Sequence, residues 1–319
     1  MMTKLPIDRI LHPSAKQAGV KLYMARADLI HPLASGNKVY KLMPNLQFAR
    51  EQGYTQLLSF GGAFSNHIHA LALMAQQEGF ESVGVIRGEQ AYASNPTLKM
   101  AQSAGMQLEF VDRITYQRRH DVDYLVQLQQ QYPNAFIIPE GGSSQLAIQG
   151  CASLVSDINQ QQAQKADVLT VACGTGATLA GLICGLKQGQ TVMGFAVLKD
   201  ASLKARVADY IRLEKPNDQT AYCIEQADFG GYAKLDRSLL DFILAWLDNT
   251  GILLDPIYTS KMCKRLMQQI ESGEFKSGST ITMIHSGGLQ GWRGMKKQVI
   301  KLSSETTWAL IYSKLYLLE

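Results

Sequence analysis

The residues best suited to covalent chemistry begin at Gly36-Asn37-Lys38, where a lysine opens an apolar helical pattern of Val39, Leu42, Met43 and Leu46. Glycine allows close backbone approach and unusual dihedrals, and asparagine suits a helix start. Two readings of Lys38 stay open: a solvated lysine at a helix end, or an amine held at the floor of a cleft. A second stretch, Cys173-Gly174-Thr175-Gly176-Ala177-Thr178, joins an apolar run to a helical one. Its bare glycines let backbone N–H groups converge on an anion at a helix N-terminus, and Thr175 and Thr178 add hydroxyls. A tight turn without a ligand would look the same, and GxG alone is weak. In Gly61-Gly62-Ala63-Phe64-Ser65-Asn66-His67, Ser65 is expected to be exposed beside another helix start. Asn66 either caps that helix or hydrogen-bonds a ligand oxygen. Tyr258, in Leu254-Asp255-Pro256-Ile257-Tyr258-Thr259, is a candidate acid or base, or a core tyrosine. The histidines do not suggest a metal: His67 and His69 are two apart on a helix, no HExxH spacing occurs, and His285 reads as a buried, satisfied histidine.

These stretches need elements to position them, and strands alternate with helices along most of the chain. Apolar strands are expected over 20–25, 55–60, 82–87, 107–111, 136–139, 167–172 and 191–198. Helical patterns lie between them, and the segment 254–259 is expected to be a strand end turning into a helix. Pro44 either kinks the helix after Lys38 or begins it, because proline lacks the N–H and crowds the preceding turn. Such alternation implies right-handed crossovers and mainly parallel sheets. The tail 306–318 is expected to dock as a helix or a strand. At 319 residues, 46% apolar and 18% charged, the chain can bury a sizeable core. A net charge of +4 without a basic run argues against nucleic acid or an anionic membrane as partner. Five cysteines without a CxxC pair suit a reducing compartment. The N-terminal MMTKLPIDRI does not read as a signal peptide, and no apolar run approaches the roughly 20 residues of a membrane helix.

Taken in order, the segments resemble a known family: the PLP-dependent enzymes of fold type II, the tryptophan-synthase β-subunit class. Within it the chain is most similar to the D-cysteine desulfhydrase and 1-aminocyclopropane-1-carboxylate deaminase branch. The likeness rests on G-N-K-x-x-K-L at 36–42, S-N-H at 65–67, P-x-G-G-S at 139–143 and the glycine-rich loop at 174–178. It continues through G-Y at 231–232, G-I-L-L-D-P-I-Y-T at 251–259 and H-S-G-G at 285–288. The resemblance implies that Lys38 binds pyridoxal 5′-phosphate covalently and moves the substrate's Cα proton. By the same likeness Gly174, Thr175, Gly176, Ala177 and Thr178 hold the phosphate, and Asn66 bonds the phenolic oxygen. Ser65 faces the substrate, and Tyr232 and Tyr258 match the branch's two active-site tyrosines. Where the deaminases carry a glutamate on the pyridine nitrogen this chain has Thr259, as in the desulfhydrases, and Ser286 is nearer the desulfhydrases' threonine than the deaminases' leucine. Tyr40 replaces the arginine of the family's GGNKxRKLE, and Phe64 stands in a loop that often reads GAIQ.

The expectation is therefore a two-domain α/β enzyme of fold type II, each domain an open, mainly parallel sheet flanked by helices. Residues 46–149 form the smaller domain, and 1–45 with 150–319 form the larger one that binds PLP. The expected reaction is α,β-elimination on a small amino acid, D-cysteine first, giving pyruvate, ammonia and hydrogen sulfide. Deamination of 1-aminocyclopropane-1-carboxylate, a racemase or dehydratase, and a non-catalytic PLP-binding protein are the alternatives. The expected setting is a cytoplasmic homodimer with a small amino-acid substrate, no metal, no nucleic acid and no membrane.

Overall fold

The computed structural model describes residues 3–31, 34, 36–215 and 220–316. Pro32 and Ser35, beside the lysine stretch, and Leu317 and Leu318 of the tail lie outside the described residues. In chain order the strands are β1 (Ile7–Ile10), β2 (Lys21–Ala25), β3 (Gln56–Gly62), β4 (Glu81–Arg87) and β5 (Met106–Val111). They continue with β6 (Ala135–Ile138), β7 (Val168–Cys173), β8 (Thr191–Ala196), β9 (Tyr222–Gln226) and β10 (Thr280–Ile284). Four of them form an all-parallel sheet in the order β5-β4-β3-β6. The others form a sheet ordered β1-β2-β10-β7-β8-β9, parallel except for the β1–β2 edge. The cause is in the residues: strands such as Thr280–Ile284 are buried along their whole length, as a sheet covered on both faces requires. No helix among the described residues is long and apolar enough to cross a membrane.

Three expectations change in detail. Of the two readings of Pro44, a helix start is excluded: the helix at Lys38 runs over Asn37–Glu51 with Pro44 inside it. Proline removes the donor that would serve the carbonyl four residues back, that of Tyr40. That carbonyl lies instead against Gly150 of the helix Gln145–Gln161, so close that a Cβ there would sit 1.9 Å from the oxygen. Secondly, β3 extends through Gly61 and Gly62, which were expected in the loop. Gly61 is needed because a Cβ would meet Ile68 Cγ1 at 2.4 Å. Thirdly, Leu254 and Asp255, expected to end a strand, do not: no strand lies at 252–255. Two carbonyls of this stretch are served by side chains: His285 Nε2 donates to Leu253 and Trp292 Nε1 to Leu254. The buried Asp255 carboxylate then accepts the N–H groups of Ile257, Tyr258 and Thr259 and opens the helix Thr259–Glu271.

The tail is a helix, Glu305–Tyr316, that buries Trp308, Ile311 and Leu315 with Leu239, Ile243, Trp292 and Val299. Each such side chain contributes about 1.5–3 kcal/mol.

Candidate active site

The carboxyl ends of strands from both sheets open on one cleft of about 1480 Å³. Ligands of open α/β sheets bind at such strand ends. Residues after β3, β4 and β6 line one side, and residues after β7, β8 and β10 line the other.

Lys38 lies on the cleft wall, at the second position of its helix. The helix begins sharply because Gly36 takes φ 79°, and a Cβ there would meet the Ser286 carbonyl oxygen at 1.9 Å. Burial, and then the charge of Lys41, push the Lys38 ammonium down from 10.5 to about 7, with Cys151 opposing. A substantial neutral amine fraction is therefore present at neutral pH. Lys41, one turn on, is buried, and its Nζ donates to the Gly141 carbonyl at 3.3 Å. Burial also lowers its pKa.

The loop 173–176 turns into the helix Ala177–Gly185, with Gly176 at φ 89° as its cap. A Cβ on Gly176 would meet Val207 Cγ2 at 2.7 Å. Asn37 Nδ2 donates to Thr178 Oγ1 at 2.8 Å, which ties the lysine helix to this loop. Ser143 Oγ donates to Thr175 Oγ1 at 2.8 Å, and Arg206 Nε donates to the Thr175 carbonyl at 2.9 Å. The Tyr258 ring packs against Gly174, 3.4 Å from where a Cβ would stand.

Ser65, not Asn66, caps the helix Asn66–Glu78: its Oγ accepts the Ile68 N–H at 3.3 Å. Asn66 is left to face the cleft, where its Oδ1 accepts from Gln290 Nε2 at 3.0 Å. Gly288 makes room for it, since a Cβ there would be 2.8 Å from Asn66 Nδ2. His67 also reaches the cleft. Ser59 Oγ gives its proton to the Ile138 carbonyl at 2.7 Å, so at 2.8 Å it accepts from His67 Nε2, and His67 Nδ1 is an acceptor without a partner among the described residues. Burial, then Lys38 and Lys41, hold His67 neutral. His285 is buried between the Leu253 carbonyl and the Gly287 N–H, as the sequence suggested. Tyr258 and Tyr232 both line the cleft, and burial raises both phenols, Tyr258 the further. Tyr232 is 49% exposed and marks the mouth.

A family model for pyridoxal-phosphate dependent enzymes matches residues 5–287. The chain belongs to that family. It is 28% identical over 288 residues to the D-cysteine desulfhydrase of Klebsiella pneumoniae (strain 342), covering 85% of this chain and 87% of that one. It is 26% identical over 297 residues to the mitochondrial bifunctional D-cysteine desulfhydrase/1-aminocyclopropane-1-carboxylate deaminase of Arabidopsis thaliana, covering 86% and 73%. The crystal structure of a homologue of ACC deaminase superposes with a TM-score of 0.84 at 25% identity over 94% of each chain.

The cleft of this PLP-dependent enzyme fits the cofactor. Backbone N–H groups at a helix start, with the Thr175 and Thr178 hydroxyls, form an anion-binding set, and the buried Lys41 cation lines the same cleft. Among the described residues, Thr259 Oγ1 is buried without a hydrogen-bond partner, as is His67 Nδ1. The cleft wall includes Lys38, Ser65, Asn66, Gly174, Thr175, Gly176, Thr178, Tyr232 and Tyr258, all singled out from the sequence. Two others are not on it: Ala177 and Thr259 are buried just behind. Lys41, Asp255 and Gln290 were missed as site residues. Lys41 alone had a local signal, three residues from Lys38 and so on the same helix face.

Proposed function

We propose that this enzyme catalyses α,β-elimination on a small amino acid, D-cysteine first, yielding pyruvate, ammonia and hydrogen sulfide. Lys38 carries the reading: an amine on the cleft wall with its pKa pushed to about 7, on a helix hydrogen-bonded to the anion-receiving loop. Lys38 would hold PLP covalently. The 174–178 loop would take the phosphate, assisted by Lys41, and Asn66 the phenolic oxygen. Thr259 would be the neutral partner of the pyridine nitrogen. When bound, PLP withdraws electrons from the substrate's Cα and so acidifies its proton.

The protein's own groups do the rest. The helix start at Ser65 and Asn66 receives the substrate carboxylate. The Lys38 amine takes the Cα proton, the freed electron pair forms Cα=Cβ, and the Cβ–S pair departs with sulfur. Tyr258 and Tyr232, protonated at neutral pH, donate to the leaving thiolate, and Lys38 is free to act as base because the substrate's own amine takes its place. One water then adds to the three-carbon fragment and ammonia leaves, so that one cysteine and one water give pyruvate, ammonia and hydrogen sulfide. Thr259 and Ser286, in place of the deaminase-type glutamate and leucine, favour elimination over ring opening. The division of the strands between two sheets supports a smaller domain at 46–149 and a larger one from 1–45 and 150–319. We place the protein in the cytoplasm, where its five cysteines, none of them in a disulfide among the described residues, would stay reduced, and as a homodimer like relatives of its class.

The test is sulfide and pyruvate release from D-cysteine by the PLP-loaded protein, beside 1-aminocyclopropane-1-carboxylate. Sulfide from D-cysteine supports the reading. Turnover of the cyclopropane alone would overturn it.

A further inference from the structure

The end of the cleft toward β4 holds a cation that the reaction above does not use. Arg87 is the last residue of β4, paired in register with Gly62 at the end of β3. Its guanidinium lies 5.5 Å from the centroid of the Tyr116 ring, and Arg119 lies 4.9 Å from the same ring. Arg119 is committed, since its Nε donates to Glu140 Oε2 at 2.7 Å. Glu140 is committed as well, because its Oε1 accepts the Tyr116 hydroxyl at 2.6 Å. Asp112 spends its carboxylate on Ile114 and Thr115. Glu89, the remaining carboxylate at this end, makes no ion pair with Arg87. Among the described residues, then, Arg87 has an aromatic platform and no anion. An arginine held on a ring keeps its hydrogen-bonding edge free and loses little freedom on binding.

Its position matters too. Gly62 carries no side chain, and a Cβ there would stand 3.7 Å from Arg87 Nη2. Three residues beyond Gly62, Ser65 starts the helix that receives the substrate carboxylate in the reading above. The positive charge of Arg87 also reaches the Tyr232 phenol, where it opposes the effect of burial. Two anion-receiving points therefore stand side by side in one cleft, one at a helix start and one at Arg87.

We propose that Arg87 is a second anion subsite, which selects amino acids whose β-substituent carries a negative charge. The inference rests on the elimination reading for its chemistry. For O-phosphoserine, the Cα proton passes to Lys38, its electron pair forms Cα=Cβ, and the Cβ–O pair leaves with phosphate. Addition of water to the product side then gives pyruvate and ammonia, so that one O-phosphoserine and one water yield pyruvate, ammonia and phosphate.

The experiment compares O-phosphoserine with the neutral O-acetylserine, both enantiomers, on PLP-loaded wild type, Arg87→Met and Arg87→Lys. The expected result is a fall of tenfold or more in the ratio of their kcat/KM values in Arg87→Met, partly restored in Arg87→Lys. An unchanged ratio overturns the proposal, including the case where both substrates weaken equally because Arg87 serves the common carboxylate. If neither compound turns over in wild type, the elimination reading fails for them. Calorimetric affinities of the same pair, with the same tenfold criterion, then decide the role of Arg87 separately.

Discussion

Freed of PLP, the Lys38→Met protein is expected to be more stable than wild type at pH 7, with the advantage disappearing as pH rises. In the folded chain the Lys38 ammonium has its pKa pushed from 10.5 to about 7 by burial and by Lys41, whereas in the unfolded chain it returns to 10.5. Between those values the unfolded state holds a proton that the folded state lacks. Wild-type stability therefore rises with pH, at up to 1.36 kcal/mol per pH unit for one proton. The penalty is complete below pH 7 and gone above 10.5. Integrated over that window it amounts to less than about 5 kcal/mol. Because the lysine lines a cleft that water enters, screening reduces it to about 2 kcal/mol. Methionine has a similar length and no charge, so it escapes the penalty. The assay is urea denaturation of both proteins at pH 7, 8, 9 and 10, freed of cofactor throughout. A stability difference that stays constant from pH 7 to pH 10 would show that Lys38 is an ordinary solvated lysine, and the chemistry assigned to it would lose its basis.

Gly36→Ala should abolish PLP retention and lower the melting temperature by several degrees, since its Cβ would meet the Ser286 carbonyl at 1.9 Å in a φ of 79°; absorbance of the purified variant and a thermal scan check this. Thr178→Val removes the acceptor of the 2.8 Å bond from Asn37 Nδ2, so PLP affinity should weaken about tenfold in a fluorescence titration. Asp255→Asn puts an amide where three backbone N–H groups converge. It should cost about 1–3 kcal/mol in chemical denaturation and lower kcat by turning Tyr258.

The local pattern was legible wherever it depends on nearest neighbours along the chain. Apolar runs placed seven of the ten strands among the described residues, β2 to β8; β1 and β9, short and at the sheet's edges, carry no such run, and β10 was not anticipated although it is buried along its whole length. Glycines at strand ends marked the turns, because a positive φ or a close approach excludes other residues there, and Lys38, Ser65, Asn66 and the 174–178 loop stood out for that reason. The tertiary structure decided what these residues mean. The helix through Pro44 survives because Gly150, more than a hundred residues on, accommodates the carbonyl that proline leaves without a donor. Leu254 and Asp255 look like a strand end by composition, yet the carbonyls of Leu253 and Leu254 are taken by His285 and Trp292, which no local rule could place beside them. The spacing puts Lys41 on the same helix face as Lys38, but its burial there is decided by packing. Among the described residues Arg87 has no anion partner, while Glu140 is taken by Tyr116 and Arg119. Charge state depends on burial and on neighbours in space, and both are properties of the folded chain.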